Sequence, residues 1–454
     1  MEEFDVVVIG AGPGGYPAAI RSARLGRKCA IVEREALGGL CLNAGCIPTK
    51  TLMASAERYL QVCMAADLGV EVSEPDPAFV PMHERMVGVV NRLRSGVDLQ
   101  LRSSGVEVIS GQARFLSPEE IEVAEAEGKV RTLRAKQFIL ATGSYSTLPD
   151  FLPKSDRIVD STAFLEQKTL PDTLLILGGG VVGCEFACLA AALGTAVTLV
   201  EQEADILPQL DEDVRGVVSR RMMELGIEVW PRTAIDAVEV QEKQIAARCG
   251  ENVFTADELL VATGRRAQTD GLKLEAAGVQ TDSAGSIPVD ACGRTSVPTI
   301  FAVGDVTANS VQLAHAATYQ GVVAAEYAAG MNREASKQVC PFCVFTIPEV
   351  AGVGMSEREA RAADLKIRVG RLPFTATGRA WTTGETDGFV KWIAEAGTGR
   401  LLGAQVVGDH AAEMIAEPTL AIQQGLTVKQ IVQTIHAHPT FSEAWVDAAW
   451  KIVE

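Results

Sequence analysis

The fold of this chain is decided by residues 4–15, which read Phe-Asp-Val-Val-Val-Ile-Gly-Ala-Gly-Pro-Gly-Gly. An apolar run leads into Gly-x-Gly-x-x-Gly, a helix pattern follows, and a second apolar strand ends at Glu33. In such a unit Gly10 permits a tight turn, Gly12 lets the backbone approach a pyrophosphate, and Gly15 lets helix and strand pack closely. Glu33 is placed to accept the hydroxyls of an adenosine ribose. The stretch predicts a dinucleotide-binding βαβ unit.

The whole pattern recurs further along the chain. An apolar strand leads into residues 178–183, Gly-Gly-Gly-Val-Val-Gly, and the next strand ends on an acidic residue. Four pairs of equivalent positions are each 168 residues apart: Gly10 and Gly178, Gly12 and Gly180, Gly15 and Gly183, Glu33 and Glu201. Ala-Thr-Gly also occurs twice, at 141–143 and 262–264. Two unrelated glycine turns would not share one spacing. Two dinucleotide sites in one chain predict a flavin and a nicotinamide that exchange electrons.

Composition limits the class of protein. The 454 residues are 47% hydrophobic and 22% charged, as in an ordinary globular protein, and the length predicts two to four domains. A net charge of −17 disfavours nucleic-acid binding. Ten cysteines are too dilute for a disulfide-stapled secreted scaffold, and the N-terminus lacks a signal-peptide pattern, so we expect a cytoplasmic protein. Residues 174–200 carry one charge, but glycines interrupt them, which favours strand, helix and strand over a membrane span.

The second unit also predicts which nicotinamide binds. A 2′-phosphate needs a nearby Arg or Lys, and residues 195–214 contain neither. They contain instead six acidic residues: Glu201, Glu203, Asp205, Asp211, Glu212 and Asp213. That field would repel NADP, so we expect NAD.

Two cysteines lie five residues apart, at Cys41 and Cys46, after the first unit. On a regular helix their Cα atoms would be about 8.6 Å apart, whereas a disulfide needs less than about 7 Å. A bridge therefore requires a distorted turn, which Gly45 and Pro48 would allow. A strained, accessible disulfide is of the catalytic kind. The alternative is a pair of buried structural thiols.

Residues 39–50, Gly-Leu-Cys-Leu-Asn-Ala-Gly-Cys-Ile-Pro-Thr-Lys, resemble the active-site segment of the pyridine nucleotide–disulfide oxidoreductases. The similarity extends over nearly the entire chain. Residues 299–305 resemble the family's second flavin motif, whose Asp binds the ribityl chain, and 312–315 resemble the segment whose helix N-terminus faces the flavin. Residues 261–266 resemble the strand that closes the nicotinamide domain. Leu40 departs from the family's usual Thr, and a lost hydroxyl there does not imply inactivity.

Near the C-terminus, residues 434–443 read Thr-Ile-His-Ala-His-Pro-Thr-Phe-Ser-Glu and resemble the family's signature in which the His before Pro is the acid–base catalyst. Only a thiolate attacks a disulfide, so the reaction needs such a base, and a carboxylate can fix its tautomer. By residue type alone, a His-x-His pair is more often a pair of plain loop histidines than a metal site. The resemblance assigns His438 as the base and Glu443 as its partner, and leaves His436 as a structural neighbour.

The resemblance implies an α/β fold with two Rossmann-like domains and an α+β C-terminal dimerisation domain. We expect an FAD-binding domain at 1–145, an NAD-binding domain at 146–268, a central domain at 269–338 and the dimerisation domain at 339–454. The family's catalytic segment comes from the other subunit, which implies an obligate homodimer.

The implied activity is oxidation of a dihydrolipoyl group with NAD⁺ through a Cys41–Cys46 disulfide, and the implied partners are lipoyl-bearing proteins of 2-oxo-acid dehydrogenase or glycine cleavage systems. Alternatives are an NADH-dependent reductase of another small disulfide and a flavoprotein scaffold subunit. Glu185 is expected to pair with Lys50 beside the flavin. We assign no metal site. The expected cofactor-binding residues are Gly10, Gly12, Gly14, Gly15, Glu33, Gly39, Lys50, Ala113, Thr142, Gly143, Ser144, Gly178, Gly180, Gly183, Glu185, Glu201, Gly264, Asp305, Leu313, Ala314 and His315.

The remaining candidates are given structural roles. Cys340 and Cys343 form a Cys-x-x-Cys, but no second such pair exists to complete a zinc site. Cys184 and Cys188, one helical turn apart, are expected to be buried thiols. His83 and His410 are expected on the surface or in loops.

Overall fold

A computed structural model of the chain describes residues 2–73, 75–331 and 338–453. Within these limits the chain forms two compact units, each assembled from separate stretches of sequence. The first unit comprises Met1–Thr51, Pro81–Thr147 and Gly264–Lys337, and the second comprises Leu52–Val80, Leu148–Thr263 and Gln338–Glu454.

The strands, in chain order, are β1 (Glu2–Ile9), β2 (Cys29–Glu33), β3 (Glu107–Ser110), β4 (Gln112–Ser117), β5 (Glu120–Ala124), β6 (Val130–Leu140), β7 (Ser144–Ser146), β8 (Ile158–Asp160), β9 (Thr173–Leu177), β10 (Ala196–Val200), β11 (Glu228–Trp230), β12 (Ala237–Val240), β13 (Ile245–Cys249), β14 (Asn252–Ala256), β15 (Glu258–Val261), β16 (Arg265–Ala267), β17 (Ile300–Ala302), β18 (Phe342–Val344), β19 (Val350–Gly354), β20 (Ile367–Pro373), β21 (Phe389–Glu395) and β22 (Leu401–Val407).

The α-helices are α1 (Gly15–Arg24), α2 (Gly39–Ala44), α3 (Cys46–Cys63), α4 (Phe79–Ser103), α5 (Ser161–Glu166), α6 (Val181–Ala192), α7 (Glu212–Glu224), α8 (Ala314–Ala328), α9 (Glu357–Ala362), α10 (Gly378–Thr383), α11 (Ala411–Met414), α12 (Ala416–Gln423), α13 (Val428–Val432) and α14 (Glu443–Val453). Short 3-10 helices lie at Ala65–Leu68, Ala126–Gly128, Leu274–Ala277, Gly304–Val306 and Phe374–Ala376.

The first unit is built on a sheet with the order β3-β2-β1-β6-β5-β4, to which β17 adds by pairing with β6. The strands β3, β2, β1, β6 and β17 are parallel to one another, whereas β5 is antiparallel to β6 and β4 is antiparallel to β5. Residues 6–8 of β1 are at most 1% exposed. Helices cover both faces of a parallel sheet, which explains why this strand is continuously apolar.

The second unit contains three sheets. A parallel sheet has the order β11-β10-β9-β15-β8, and a small antiparallel sheet has the order β12-β13-β14. The third sheet, β18-β19-β22-β21-β20, is antiparallel and carries the C-terminal part of the chain. Its core contains Trp392 and Trp445, both fully buried with ring centroids 4.8 Å apart. Trp392 also donates its indole N–H to the carbonyl of Trp445 at 2.9 Å.

The α/β fold class predicted from the sequence is confirmed, with two parallel βαβ units and an antiparallel C-terminal sheet. Residues 174–200 form β9, α6 and β10, as the glycines indicated. The chain crosses between the units after Thr147, Thr263 and Lys337, and the segment Leu52–Val80 belongs to the second unit. The four-domain division remains a prediction. Among the described residues, no helix is both long and apolar enough to span a membrane.

Candidate active site

The first glycine-rich loop, at the end of β1, has two positions at which only glycine fits. Gly10 has a φ of +97°, and a Cβ there would lie 2.4 Å from the carbonyl oxygen of Ala141. A Cβ on Gly15 would lie 1.8 Å from the oxygen of Gly10. No side chain fits at either position, which is the close approach between strand, turn and helix that the sequence predicted.

The second loop repeats both of these close contacts at the equivalent glycines. Gly178 has a φ of +112°, and its Cβ would lie 2.5 Å from the oxygen of Ala262. A Cβ on Gly183 would lie 1.9 Å from the oxygen of Gly178. The duplication seen in the sequence is therefore a duplication of backbone structure.

The two acidic residues that end β2 and follow β10 also make equivalent contacts. Glu33 accepts the N–H of Ala11 at 2.7 Å and that of Glu35 at 2.9 Å. Glu201 accepts the N–H of Gly179 at 2.5 Å and that of Glu203 at 2.7 Å. Each carboxylate is thereby fixed beside its glycine loop. The helices that follow, α1 and α6, begin within the loops and direct free N–H groups and a positive dipole end at the same place. Both loops fit a dinucleotide.

The predicted flavin residue Asp305 is held by a hydrogen-bond chain within the first unit. Its Oδ2 accepts the hydroxyl of Ser144 at 2.7 Å. Arg265 donates to the Ser144 hydroxyl at 2.8 Å, to the Ser144 carbonyl at 2.7 Å and to the Ser146 hydroxyl at 3.0 Å. Sequence reasoning placed Ser144 and Asp305 in the site but missed Arg265 as their support.

The neighbouring flavin segments adopt the expected local structure. Thr142 donates its hydroxyl to the carbonyl of Gln268 at 2.7 Å, which joins the Ala-Thr-Gly turn to β16 and the residues after it. Leu313 is the N-cap residue of α8, and Ala314 and His315 are its first two residues. The positive end of the α8 helix dipole therefore lies at these residues, where it favours an electron-rich edge such as that of the flavin ring.

The two cysteines of residues 39–50 lie on either side of a helix break. Cys41 is in α2 and Cys46 begins α3, and between them Gly45 has φ −146° and ψ −112°. The predicted distortion occurs at Gly45, while Pro48 lies in the first turn of α3, where proline is tolerated. The structure holds the pair as thiols joined by a hydrogen bond. The break therefore brings the two sulfurs together, which a continuous helix would not do.

The pKa of the Cys41 thiol is raised, first by its hydrogen bond with Cys46 and then by burial, while the ammonium of Lys50 acts in the opposite direction. Burial also raises the pKa of Tyr16, and the nearby Cys41 adds to the effect. Tyr16 lies in the first turn of α1 and is a neighbour of the cysteine pair that sequence reasoning missed.

Asn43 anchors the loop before the cysteines. Its side-chain amide donates to the carbonyl oxygens of Leu37 at 3.0 Å and Gly39 at 2.8 Å. Its own oxygen accepts two hydrogen bonds from Arg94, on α4, at 2.9 and 2.7 Å. Arg94 was not identified from the sequence because it lies 51 residues away, outside every motif.

The predicted acid–base pair is formed in the second unit. His438 Nδ1 lies 3.0 Å from Glu443 Oε2, and Glu443 is the first residue of α14. Because the carboxylate can only accept, it favours the tautomer with a proton on Nδ1 and leaves Nε2 as the base. The His438 side chain is 78% exposed, so Nε2 can be reached from outside this chain.

His436 makes different contacts from His438. Its Nε2 lies 2.8 Å from Glu417 Oε1 and its Nδ1 lies 3.1 Å from the carbonyl oxygen of Thr434, and its side chain is only 9% exposed. Both ring nitrogens are engaged within the chain. These contacts support the structural interpretation.

Glu185 and Lys50, predicted to pair, belong to different units. Glu185 is 3% exposed on α6, and its Oε1 accepts the N–H of Phe345 at 2.9 Å. Lys50 is half-buried near Cys41. The pairing remains a prediction.

Three of the six acidic residues expected to repel NADP have basic partners in the structure. Asp205 is paired with Arg215 at 3.3 Å, and Asp211 and Asp213 are paired with Lys391 at 2.9 and 2.7 Å. Both basic partners, Arg215 and Lys391, lie outside residues 195–214. The expected repulsion of a 2′-phosphate therefore falls on the other three acidic residues, of which Glu201 is the one held at the second loop.

The remaining candidate residues from the sequence have the following positions. Ala113 is buried on β4. Cys184 and Cys188 are fully buried, and burial raises the pKa of Cys188 to about 12, as expected of structural thiols. His83 is 9% exposed on α4, so the expectation of a surface or loop position is wrong for it, because the amphipathic helix turns that residue inward. His410 lies in a loop position before α11, as expected.

Comparison with known proteins gives matches over the whole chain. Residues 4–321 match the family described as pyridine nucleotide-disulphide oxidoreductase, and residues 340–449 match the dimerisation domain of that family. The dihydrolipoyl dehydrogenase of Thermus scotoductus is 43% identical, with 99% of this chain and 97% of the relative covered. The dihydrolipoyl dehydrogenase of Bacillus subtilis is 39% identical, with 98% and 96% covered.

Solved structures also match this chain over its length. LpdA from Mycobacterium tuberculosis superimposes with a TM-score of 0.93 at 27% identity, with all of both chains covered. The HOCl-induced flavoprotein disulfide reductase RclA from Escherichia coli, as its Cu(II) complex, gives 0.90 at 30% identity, with 99% of both chains covered. The full-length matches, the duplicated nucleotide loops and the adjoining cysteines place this chain in the pyridine nucleotide-disulphide oxidoreductase family.

Proposed function

We propose that this protein is a dihydrolipoyl dehydrogenase, which oxidises a protein-bound dihydrolipoyl group with NAD⁺ using FAD. The observation that carries the proposal is the pair of thiols at the Gly45 helix break, beside one of two dinucleotide loops, in a chain that also holds a His–Glu pair. Full-length relatives at 39–43% identity bear that enzyme's name.

The proposed reaction begins with proton removal. His438 Nε2 takes the proton of one substrate thiol, and Glu443 stabilises the resulting imidazolium through Nδ1. The thiolate attacks the Cys41 sulfur of the oxidised pair, which forms a mixed disulfide and releases Cys46 as a thiolate. The second substrate thiol passes its proton to the departing Cys41 sulfur, and its own sulfur displaces Cys41 from the mixed disulfide. The substrate leaves as a disulfide, and the two electrons remain on the cysteine pair.

The cofactors complete the cycle. FAD, when bound, supplies an acceptor for the two electrons that can pass a hydride to NAD⁺. The residues proposed to hold FAD are those of the first unit, from the Gly10–Gly15 loop to Asp305, and those proposed to hold NAD⁺ are the Gly178–Gly183 loop and Glu201. Lys50 lies near Cys41 and favours the thiolate form.

The dimerisation domain at residues 340–449 supports a homodimer in which His438 serves the cysteine pair of the other subunit. Its high exposure fits a base that acts on another chain. The proposed partners are lipoyl-bearing proteins of 2-oxo-acid dehydrogenase or glycine cleavage systems. We also propose a cytoplasmic location, which is supported by the low density of cysteine in the sequence.

Steady-state kinetics test the substrate. We expect turnover with dihydrolipoamide and NAD⁺, little with NADP⁺, and little reduction of glutathione disulfide by NADH. A preference for glutathione disulfide would replace the proposal with the small-disulfide reductase, and no turnover with any dithiol would favour the scaffold subunit.

The His438→Ala substitution tests the base. It should lower dihydrolipoamide oxidation by about 10²–10⁴-fold, because general base catalysis is lost, and leave NADH oxidation by ferricyanide unchanged. His410→Ala, at a partly exposed histidine paired with Asp409, is the matched control. An equal loss of both activities in His438→Ala would contradict the assignment.

A further inference from the structure

One fully buried lysine has no part in the reaction described above. Lys391 lies on β21, and its side chain is 1% exposed. Its Nζ is 2.9 Å from Asp211 Oδ2, 2.7 Å from Asp213 Oδ1 and 3.8 Å from Glu357 Oε2. A buried ammonium costs several kcal/mol unless carboxylates compensate it. Lys391 is therefore held in one place by its carboxylate neighbours, all within the second unit.

Asp211 links this cluster to the backbone. Besides Lys391, its oxygens accept the N–H groups of Glu357 at 3.0 Å and Arg358 at 3.2 Å, at the start of α9. Burial acts to raise the pKa of Asp211, but the hydrogen bonds from Lys391 and these amides outweigh it and keep the pKa below its usual value. Asp211 is also the N-cap residue of α7. Asp211 therefore holds the backbone in place where α7 begins.

The chain between β10 and Asp211, residues 203–211, lies against the second glycine loop. The N–H of Leu207 donates to the carbonyl of Gly179 at 2.8 Å. The Ile206 side chain packs so closely that a Cβ on Gly179 would lie 2.8 Å from it. Ile206, Leu207 and Leu210 are all buried.

The same segment is tied to the ribose-binding carboxylate at its start. The N–H of Glu203 donates to Glu201, and the other oxygen of Glu201 accepts the N–H of Gly179. Residues 203–211 therefore support the loop and the carboxylate proposed to bind the nicotinamide nucleotide. The Lys391 cluster anchors the far end of this segment.

We propose that Lys391 is a positioning residue for NAD(H) binding, acting through Asp211 and the 203–211 segment on Gly179 and Glu201. The proposal rests on the assignment of the nicotinamide nucleotide to the Gly178–Glu201 loop. Lys391 itself touches no substrate. A lysine that served only to join two parts of the fold would change stability without changing the affinity for NADH.

The test is the Lys391→Met variant of the FAD-loaded enzyme, with Lys366→Met, at an exposed lysine near β20, as the control. The dissociation constant of NADH, measured by titration calorimetry on the fully reduced enzyme, which NADH cannot reduce further, should rise at least tenfold, while KM for dihydrolipoamide changes less than twofold. Hydrogen exchange of residues 203–211 should accelerate in the absence of any nucleotide. Lys391→Arg, which keeps the charge, should restore NADH binding to within threefold of the wild type.

A folded Lys391→Met variant with an unchanged NADH dissociation constant overturns the proposal, as does equal weakening toward both substrates. Should that variant fail to fold, Asp211→Asn decides, because it keeps an oxygen for the α9 amides but weakens the bond to Lys391, and an unchanged dissociation constant there refutes the proposal. A wild-type enzyme that binds NADH but does not oxidise dihydrolipoamide would refute the proposed function and leave this measurement intact.

Discussion

At the first nucleotide loop, Gly12 lies against the start of the redox helix, because a Cβ on Gly39 would be 2.5 Å from the Gly12 Cα. On the other side, α8 packs so closely that a Cβ on Gly321 would be 2.1 Å from the carbonyl oxygen of Gly14. At the second loop, the equivalent Gly180 has no atom within 4 Å of its Cβ position in the part of the chain that the structure describes.

The two loops share one backbone geometry but differ in their surroundings. The first loop has α2 and α8 of its own unit packed against it, whereas the second has residues 203–211 packed on Gly179 and is open at Gly180 in the described structure. An enclosed loop suits a prosthetic group that stays bound, and an open loop suits a cosubstrate that must enter and leave in every cycle. We infer that packing around the loops, and not the loops themselves, separates the flavin site from the nicotinamide site.

The largest effect is expected from alanine at the closest glycine contacts. Gly15→Ala should remove bound flavin, because its Cβ meets the Gly10 oxygen at 1.8 Å. Gly183→Ala, with the same clash at 1.9 Å, should keep the flavin and lose NADH binding. The flavin-to-protein absorbance ratio and NADH titration measure the two sites separately.

Gly88→Ala is the control for both variants, because this glycine lies in α4 with nothing within 4 Å of its Cβ position in the described structure. It should be neutral or stabilising by about 1 kcal/mol. Loss of flavin from Gly183→Ala would contradict the assignment of flavin and nicotinamide to different loops, since one substitution would then affect both cofactors.

A smaller effect is expected at the paired carboxylates. Glu201→Gln should weaken NADH binding by about 10–100-fold, since it replaces a charged acceptor of two backbone N–H groups. Flavin content should not change, and discrimination against NADPH should fall. Glu33→Gln should show the reverse pattern, with weaker flavin retention and an unchanged KM for NAD⁺. An unchanged preference for NADH over NADPH in Glu201→Gln would refute the role of this carboxylate in NAD specificity.

The smallest effect concerns the helix that follows each loop. Arg21 on α1 is paired with the buried Glu326 on α8, whereas the equivalent position on α6 is the buried Leu189. Arg21→Met should lower the free energy of unfolding by about 1–2 kcal/mol, less than for a fully buried pair because Arg21 is 34% exposed.

Arg102→Met, at an exposed pair with Asp98, is the reference and should have a smaller effect, because solvent screens that pair. Denaturant titrations of both variants supply the measurement. Equal effects would mean that the ion pair does not help to hold α8 on the first loop.

Much of the site was predictable because its signals are local. The glycine spacing fixes the tight turns, Gly45 marks the helix break between Cys41 and Cys46, and the five-residue interval between His438 and Glu443 is short enough for them to meet. In each case the residues that act together lie within one turn or one βαβ unit.

The supporting contacts were not predictable, because they join residues that are distant in sequence. Arg94 reaches Asn43 from 51 positions away, Arg265 reaches Ser144 from 121, and Lys391 reaches Asp213 from 178. Nothing in the composition of those stretches distinguishes these residues from surface charges. The pairing of Asp211 and Asp213 with Lys391 was not predictable for the same reason.

The sequence by itself determined the two glycine-rich loops and the helix break between Cys41 and Cys46, because each depends on steric requirements confined to a few adjacent residues. The role proposed for His438 came from the family resemblance. Tertiary structure alone decided which helices pack on each loop, which acidic residues have a basic partner and which lysine is buried among carboxylates. Those properties depend on long-range packing, where burial makes an ion pair strong and where the partner is set by the fold.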